Sequence, residues 1–356
     1  MTTDQMTNPL NHSFANIPLQ WVGPLKLTGD VEADALMLPL ATFETPLWPS
    51  VARGARATAH AGGIAVTLVD ERMSRSLLLQ AASARAALDS LHQLQERQAE
   101  MATITASTSR FARLLDFHFR LLGNLIYLRL EFSTGDASGH NMATQASDKI
   151  CNWIMHEYPD LQYVSISGNL CTDKKVSAVN SLLGRGKNVI CEATIPSRIC
   201  QRFLKTTPAA LANLNLKKNL LGSIAAGSLQ SANAHAANML LAFYLATGQD
   251  AANIVEGSQV INHVEVTPDG DLYFSCTLPN LIVGTVGNGK DLPYVRDCLE
   301  RLGCLDQSVP PGANAQRLAC IAAASVLCGE LSLLAAQTNP GELMNAHIKL
   351  ERSPHA

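Results

Sequence analysis

The chain has 356 residues, 47% hydrophobic and 16% charged, with a formal net charge of −3. That length allows one large domain or two to three smaller ones around a substantial core, and the near-neutral charge gives no sign of a nucleic-acid partner. Its nine cysteines form no C-x-x-C pair and no Cys/His zinc spacing, so the sequence offers no metal-ligand cluster and fits reduced, buried thiols in a cytoplasmic protein.

Residues 1–20 are polar and aperiodic and read as an arm that needs a partner surface to order. Met1 opens no basic-then-apolar leader, and no uninterrupted apolar run reaches the roughly 18 residues of a bilayer span, so neither a secretory signal nor a membrane segment is expected. A strand-like run begins at Val22. In Leu38 to Gly54 the prolines Pro39, Pro46 and Pro49 are expected to break any long helix. Glu44, the only acid of that stretch, is flanked by Phe43, Leu47 and Trp48. A carboxyl among apolar groups is pushed towards its neutral form, which suits a proton donor, although local sequence alone favours a partly exposed loop glutamate.

From Gly63 the pattern turns regular. Ile64 to Val69 reads as a strand that Ser76 to Gln80 extends, and Ala84 to Gln98 has helical apolar spacing. Phe117 to Gly123 and Leu125 to Phe132 alternate as strands around a Gly123-Asn124 turn. Asn141 to Tyr158 reads as a helix with Ile150, Trp153 and Ile154 inward, and Gln162 to Ile166 as a strand. The order β-α-β-β-α-β is the split-βαβ, ferredoxin-like arrangement. Within it, Arg110 suits a phosphate, because a guanidinium meets phosphate oxygens in a fork; alone it reads better as a solvated helix arginine. Gly135 and Gly139 let backbone approach a pyrophosphate ahead of a helix N-terminus. No G-x-G-x-x-G follows a strand, which excludes a Rossmann oxidoreductase by sequence.

The strand-like Tyr163 to Ile166 runs into S-G-N-L-C-T-D-K-K, Ser167 to Lys175. A lysine beside a carboxylate just past a buried strand can reach a developing negative charge; a lone D-K-K is a solvated surface turn. Gly184-Arg185-Gly186-Lys187 reads as a turn and Val189 to Ile195 as a strand. Asn233 to Leu245 has helical spacing that puts His235 and Asn238 on one face, where a lone His235 reads first as a core histidine. Gly248 reads as a helix C-cap and Asp250 as the N-cap of the next helix. Strands at Val260 to Thr267 and Leu272 to Pro279 flank the hairpin signal Asp269-Gly270. A long helix is expected from Asn314, as its N-cap, to Thr338, followed by a tail that carries His347 and Ser353.

Four stretches resemble one family: Ser167 to Lys175; Asn219 to Asn238, N-L-L-G-S-I-A-A-G-S-L-Q-S-A-N-A-H-A-A-N; G-Q-D-A-A, Gly248 to Ala252; and G-T-V-G, Gly284 to Gly287. The family is 3-hydroxy-3-methylglutaryl-coenzyme A (HMG-CoA) reductase, in its eukaryote-like class, and the similarity runs over roughly residues 20 to 350. The resemblance implies an α+β fold: a large mixed α/β substrate domain, residues 26–75 and 167–338, with a ferredoxin-like cofactor domain, residues 76–166, inserted into it. An N-terminal dimerisation region, 1–25, and a C-terminal flap, 339–356, complete it. The eukaryotic relatives carry a membrane region ahead of the catalytic part; this chain is expected to be a soluble, prokaryote-type version.

Position by position, the resemblance implies that Lys174, Glu44, Asp250 and His347 are catalytic. It places Arg75, Ser167, Asp173, Lys175, Lys218 and Asn238 against the acyl substrate, and Ser50 and Arg53 on the coenzyme A side. NADPH would be met by Ser109, Arg110 and Phe111, by Asp136, Ser138, Gly139, His140 and Asn141, and by Gly287 and Gly289. Ser138 and His140 stand where the family has methionines, Asn288 stands for a loop glycine, and F-E-T-P-L-W surrounds Glu44 in place of a T-E-G-type motif. The implied reaction reduces (S)-HMG-CoA with two NADPH to (R)-mevalonate and coenzyme A, without a metal, in a homodimer or dimer of dimers whose site lies between subunits. The same fold acting oxidatively on mevalonate with NAD, and a silent acyl-CoA binder, are the alternatives.

Overall fold

The structure is a computed structural model that describes residues 14–351; residues 1–13 of the expected arm, and Ser353, lie outside the described residues. The strands are β1 (Leu19–Gly29), β2 (Ala33–Ala41), β3 (Ile64–Gln80), β4 (Arg113–Leu122), β5 (Leu125–Ser133), β6 (Gln162–Ser165), β7 (Gly186–Ile195), β8 (Ile261–Val266) and β9 (Leu272–Leu281). Between them lie α1 (Leu47–His60), α2 (Ala84–Glu96), α3 (Gln98–Ala106), α4 (His140–Glu157), α5 (Ala178–Leu183), α6 (Ser197–Ile199), α7 (Pro208–Leu214) and α8 (Ser223–Ala225). The chain continues through α9 (Ala236–Ala246), α10 (Ile254–Gly257), α11 (Pro293–Arg301), α12 (Ala313–Gln337) and α13 (Glu342–Glu351). Cys200–Leu204 and Asn215–Gly222 widen to π-helical turns, a geometry that recurs at functional sites.

One mixed sheet, ordered β2-β1-β3-β7-β9-β8, packs its inner face on α12, with α1 and α9 alongside. Its β1–β3 pair is parallel and its other pairs antiparallel. The C-terminal half of β3 leaves this sheet. From Met73 onward it pairs with β5, and near its end with β6, while β4 adds to the far side of β5. These antiparallel strands and α2, α3 and α4 enclose a second core built on Leu77, Leu91, Leu128, Ile150 and Ile154. Two periodicities explain it: every second residue of β5 and every third or fourth of α2 and α4 is apolar.

Three local expectations change. Of the prolines before Gly54, Pro39 lies in β2 and no helix crosses it, but the other two start a helix instead of breaking one: Pro46 caps α1 and Pro49 sits in its first turn, where no intrahelical amide is needed. Asn314 is not the cap of α12. Gly312, with φ of 99°, precedes the helix, and the Asp136 carboxylate accepts the amides of Gly312 at 2.9 Å and Ala315 at 3.0 Å. Gly184 to Lys187 is not a surface turn, because Arg185 and Lys187 are 1% and 3% exposed and β7 begins at Gly186. Among the described residues one helix, α12, is long and apolar enough to cross a membrane, and 94% of its most apolar stretch is buried inside the protein.

Candidate active site

The loop after β6 carries a short left-handed path: Asn169, Thr172 and Lys174 have φ of 59°, 48° and 54°. Side chains rarely adopt this region, and where they do a site often exploits it. The turn at Lys174 aims its ammonium at Asp250, Nζ to Oδ2 2.7 Å. Asp250 follows Gly248, which has φ of 63°, and also accepts the Ala252 amide at 3.1 Å. Its helix-capping and lysine-holding readings therefore coexist. The hydrogen bond to Asp250 raises the Lys174 pKa against a smaller effect of burial, so the ammonium form is favoured.

Asp173 is ringed by basic side chains: Arg185 Nη2 at 2.6 Å, His140 Nε2 at 3.6 Å and Arg75 Nη1 at 3.9 Å. Burial opposes ionisation of this carboxyl, but His140 and Arg185 outweigh it and hold its pKa well below the usual carboxylate range. Arg75 Nε is buried without a hydrogen-bond partner. Such an orphaned donor costs energy unless something arrives to accept from it. Lys175 Nζ donates to the Asp173 carbonyl at 2.9 Å, and Ser167 Oγ lies 3.8 Å from the Cys171 thiol.

A second cluster lines a cavity of about 390 Å³ formed by α1, α9, α12 and α13. Glu44, Ser50, Arg53, His235, Asn238 and His347 all face it. Asn238 Nδ2 donates to Glu44 Oε2 at 3.0 Å and lies 3.4 Å from His235 Nδ1. His235 Nε2 sits 3.0 Å from the Gly329 carbonyl, which can only accept, so Nε2 donates to it. The buried Glu330 carboxylate accepts the amides of Ala234 and His235, each at 2.7 Å, and so fixes the entry to α9. Arg53 binds Ser332 Oγ and carbonyl and reaches Glu342 at 2.5 Å, which ties α13 over the cavity. Lys218, on the π-helical turn, donates to Asn219 Oδ1 at 3.1 Å, and burial lowers its pKa against the pull of Glu330. None of the Lys174 group lines this cavity.

The cofactor candidates split into two groups. Arg110 lies over the Phe111 ring at 4.7 Å, and both line a cleft of about 320 Å³ with Arg113 and Gly135; Ser109 Oγ accepts the Phe111 amide at 3.2 Å. The loop from Asp136 to Asn141 meets the 284–289 loop. The Thr285 amide donates to the Asp136 carbonyl at 2.8 Å, and a Cβ on Gly284 would meet Ser138 N at 2.4 Å. Gly139, φ 94°, opens α4, while Gly287 and Gly289, φ 106° and 82°, shape the facing loop; nothing lies within 4 Å of where a Gly287 Cβ would stand. Two cationic side chains beside an exposed ring, and an open glycine loop opposite a helix N-terminus, fit the charged ends of a dinucleotide. Asp136 spends its carboxylate on α12. His140 links the two regions, touching Ser138 Oγ at 3.4 Å and facing Asp173.

Sequence reading passed over Arg185, Glu256, Glu330 and Glu342. For Glu330 a signal existed, since a lone acid in an apolar helix needs a partner. Glu342 sits in an unpatterned tail.

The family profile described as Hydroxymethylglutaryl-coenzyme A reductase matches residues 12–352. The chain is 47% identical over 343 residues to the 3-hydroxy-3-methylglutaryl-coenzyme A reductase of Pyrococcus horikoshii, covering 94% of this chain and 81% of that one. With its counterpart from Aeropyrum pernix it shares 45% over 346 residues, covering 97% and 81%. In structure it is similar to the class II 3-hydroxy-3-methylglutaryl-CoA reductase from Streptococcus pneumoniae bound to NADPH in open conformations. The TM-score is 0.73 at 18% identity, over 93% of this chain and 88% of that one.

Proposed function

The chain belongs to the hydroxymethylglutaryl-coenzyme A reductase family, and on that footing we propose that it reduces (S)-HMG-CoA to (R)-mevalonate and coenzyme A with NADPH as reductant. The Lys174–Asp250 pair at 2.7 Å carries the reading. Next to it Arg75, with an unspent buried donor, and Lys175 offer charge and geometry for the substrate's free carboxylate, and Ser167 lies in the same loop.

When bound, NADPH supplies the hydride for each reduction. Lys174 takes up the negative charge that builds on the thioester oxygen, and Asp250 keeps that ammonium protonated and in place. His347 protonates the departing coenzyme A thiolate. Glu44, oriented by Asn238, and Lys174 then deliver the proton that completes aldehyde reduction. Ser50 and Arg53 serve the coenzyme A side of the cavity, and Lys218 the substrate carboxylate.

Residues 76–166 act as a ferredoxin-like cofactor domain inserted into a substrate domain of residues 26–75 and 167–338; 1–25 form the arm and 339–356 the flap. The order β4-β5-β3-β6 and the separate core support this division. Arg110 and Phe111 are assigned to the 2′-phosphate end of NADPH, with Ser109 behind them. The pyrophosphate falls to Gly139 to Asn141, with Gly287 and Gly289 opposite.

A homodimer, or a dimer of dimers, completes the site across subunits. Two observations support it: the Lys174 group stands apart from the Glu44 cavity, and Leu182, Leu221 and Ile224 are 75%, 54% and 74% exposed. The cytoplasm is the setting proposed, since all nine cysteines are buried and unpaired.

The test is HMG-CoA-dependent oxidation of NADPH, run beside NADH and with Lys174→Ala. Turnover by wild type, with a loss of about a thousandfold in the variant, is expected. A folded wild type that oxidises neither nucleotide overturns the reading.

A further inference from the structure

The left-handed loop is held by hydrogen bonds to its backbone, among them one from Ser74 Oγ to the Cys171 carbonyl at 3.3 Å. Arg129 Nη1 donates to the Leu170 carbonyl at 3.0 Å and Asn180 Nδ2 to the Thr172 carbonyl at 3.2 Å. A further hold falls on Lys174, whose amide donates to Glu256 Oε1 at 3.1 Å. Glu256 is fully buried on α10. The same oxygen accepts Asn253 Nδ2 at 3.0 Å and lies 3.7 Å from Arg185 Nε, while Oε2 is buried without a partner. Burial pushes this carboxyl's pKa up against the bonds from the Lys174 amide and Asn253. A core position that serves stability alone is filled better by an apolar side chain of similar volume.

Asp250 and Glu256 lie on one short segment, and they meet Lys174 at its two ends, one at the ammonium and one at the backbone. Arg185 braces the arrangement from behind. Its Nη2 holds Asp173 at 2.6 Å and its Nη1 the Ser74 carbonyl at 2.6 Å, next to Arg75. We propose that Glu256 is a positioning residue for the reduction: by accepting the Lys174 amide it keeps that residue left-handed, so that the ammonium stays on Asp250 and faces the oxyanion. This rests on the assignment of Lys174 to the oxyanion, made above.

The experiment compares Glu256→Ala and Glu256→Gln with wild type and Lys174→Ala, by steady-state kinetics and by deuterium exchange of the peptide that contains Lys174. Glutamine keeps an oxygen for the Lys174 amide; alanine removes it. In Glu256→Ala, kcat falls about 10- to 100-fold while the KM for HMG-CoA stays within about threefold, and exchange at Lys174 rises about tenfold with β9 unchanged. Glu256→Gln restores both. Wild-type kcat and exchange in Glu256→Ala overturn the proposal, as does an equal loss in both variants accompanied by an equal drop in melting temperature. Should wild type itself fail to turn over HMG-CoA, the functional reading falls, and the exchange data still decide whether Glu256 holds Lys174.

Discussion

Lys290 shows what burial does to a single charge. Its ammonium donates to the Gly248 carbonyl, and burial lowers its pKa to about 8 although Asp250 pulls the other way. Below pH 8 the folded and unfolded chains both hold the proton. Between pH 8 and the ordinary lysine range near 10.4 the unfolded chain keeps a proton that the folded one has lost, so stability rises with pH there. Relative to Lys290→Met, wild type gains roughly 1–3 kcal/mol between pH 8 and pH 10.5. Urea unfolding at pH 7.5, 9 and 10.5 checks it, and parallel profiles for the two proteins refute it. At this scale the structure joins two stretches that the resemblance singled out, Ser167 to Lys175 and Gly248 to Ala252, through the Lys174–Asp250 pair. Arg185 and Glu256 were not legible in the sequence: glycines on both sides of Arg185 signal a turn, and its partners Ser74, Asp173 and Glu256 lie far apart in the chain.

Between residues 63 and 166, α2, α4, β4 and β5 follow from periodicity, since each turns one face to a single core; α3, whose apolar residues share no one face, does not, and neither does the passage of β3 from one core to the other. Around α1 the same reasoning failed. Proline's cost depends on position, being high inside a helix and small in its first turn, and sequence does not mark where a helix begins. What fixes α1 is its crossing with α12. A Cβ on Gly54 would stand 2.0 Å from the Cys328 carbonyl oxygen, so the two backbones touch. Gly54→Ala therefore separates the helices under Glu44, Ser50 and Arg53. We expect a loss of about 3 kcal/mol, read by urea unfolding; a change below about 0.5 kcal/mol shows that α1 can slide on α12 without cost.

For the whole molecule, the residues by themselves carry no sign that the candidates fall into two clusters; only the resemblance sets Glu44 and Lys174 at one centre between subunits. If a symmetric dimer joins them, subunits carrying Lys174→Ala and Glu44→Ala complement one another. Co-expressed at equal levels, half of the dimers are mixed and each holds one intact site of two, which gives about a quarter of wild-type activity. Activity no higher than that of either variant alone places both residues of a site in one chain. The strand β3 has a mechanical consequence for such a machine. It passes from one sheet to the other between Arg72 and Met73, where its partner changes from β7 to β5. Any rocking of the small lobe bends the chain at that fulcrum, and the ends of a lever travel while the fulcrum stays. Arg75 stands three residues beyond Arg72, so such rocking displaces it far less than the loops around Arg110 and His140.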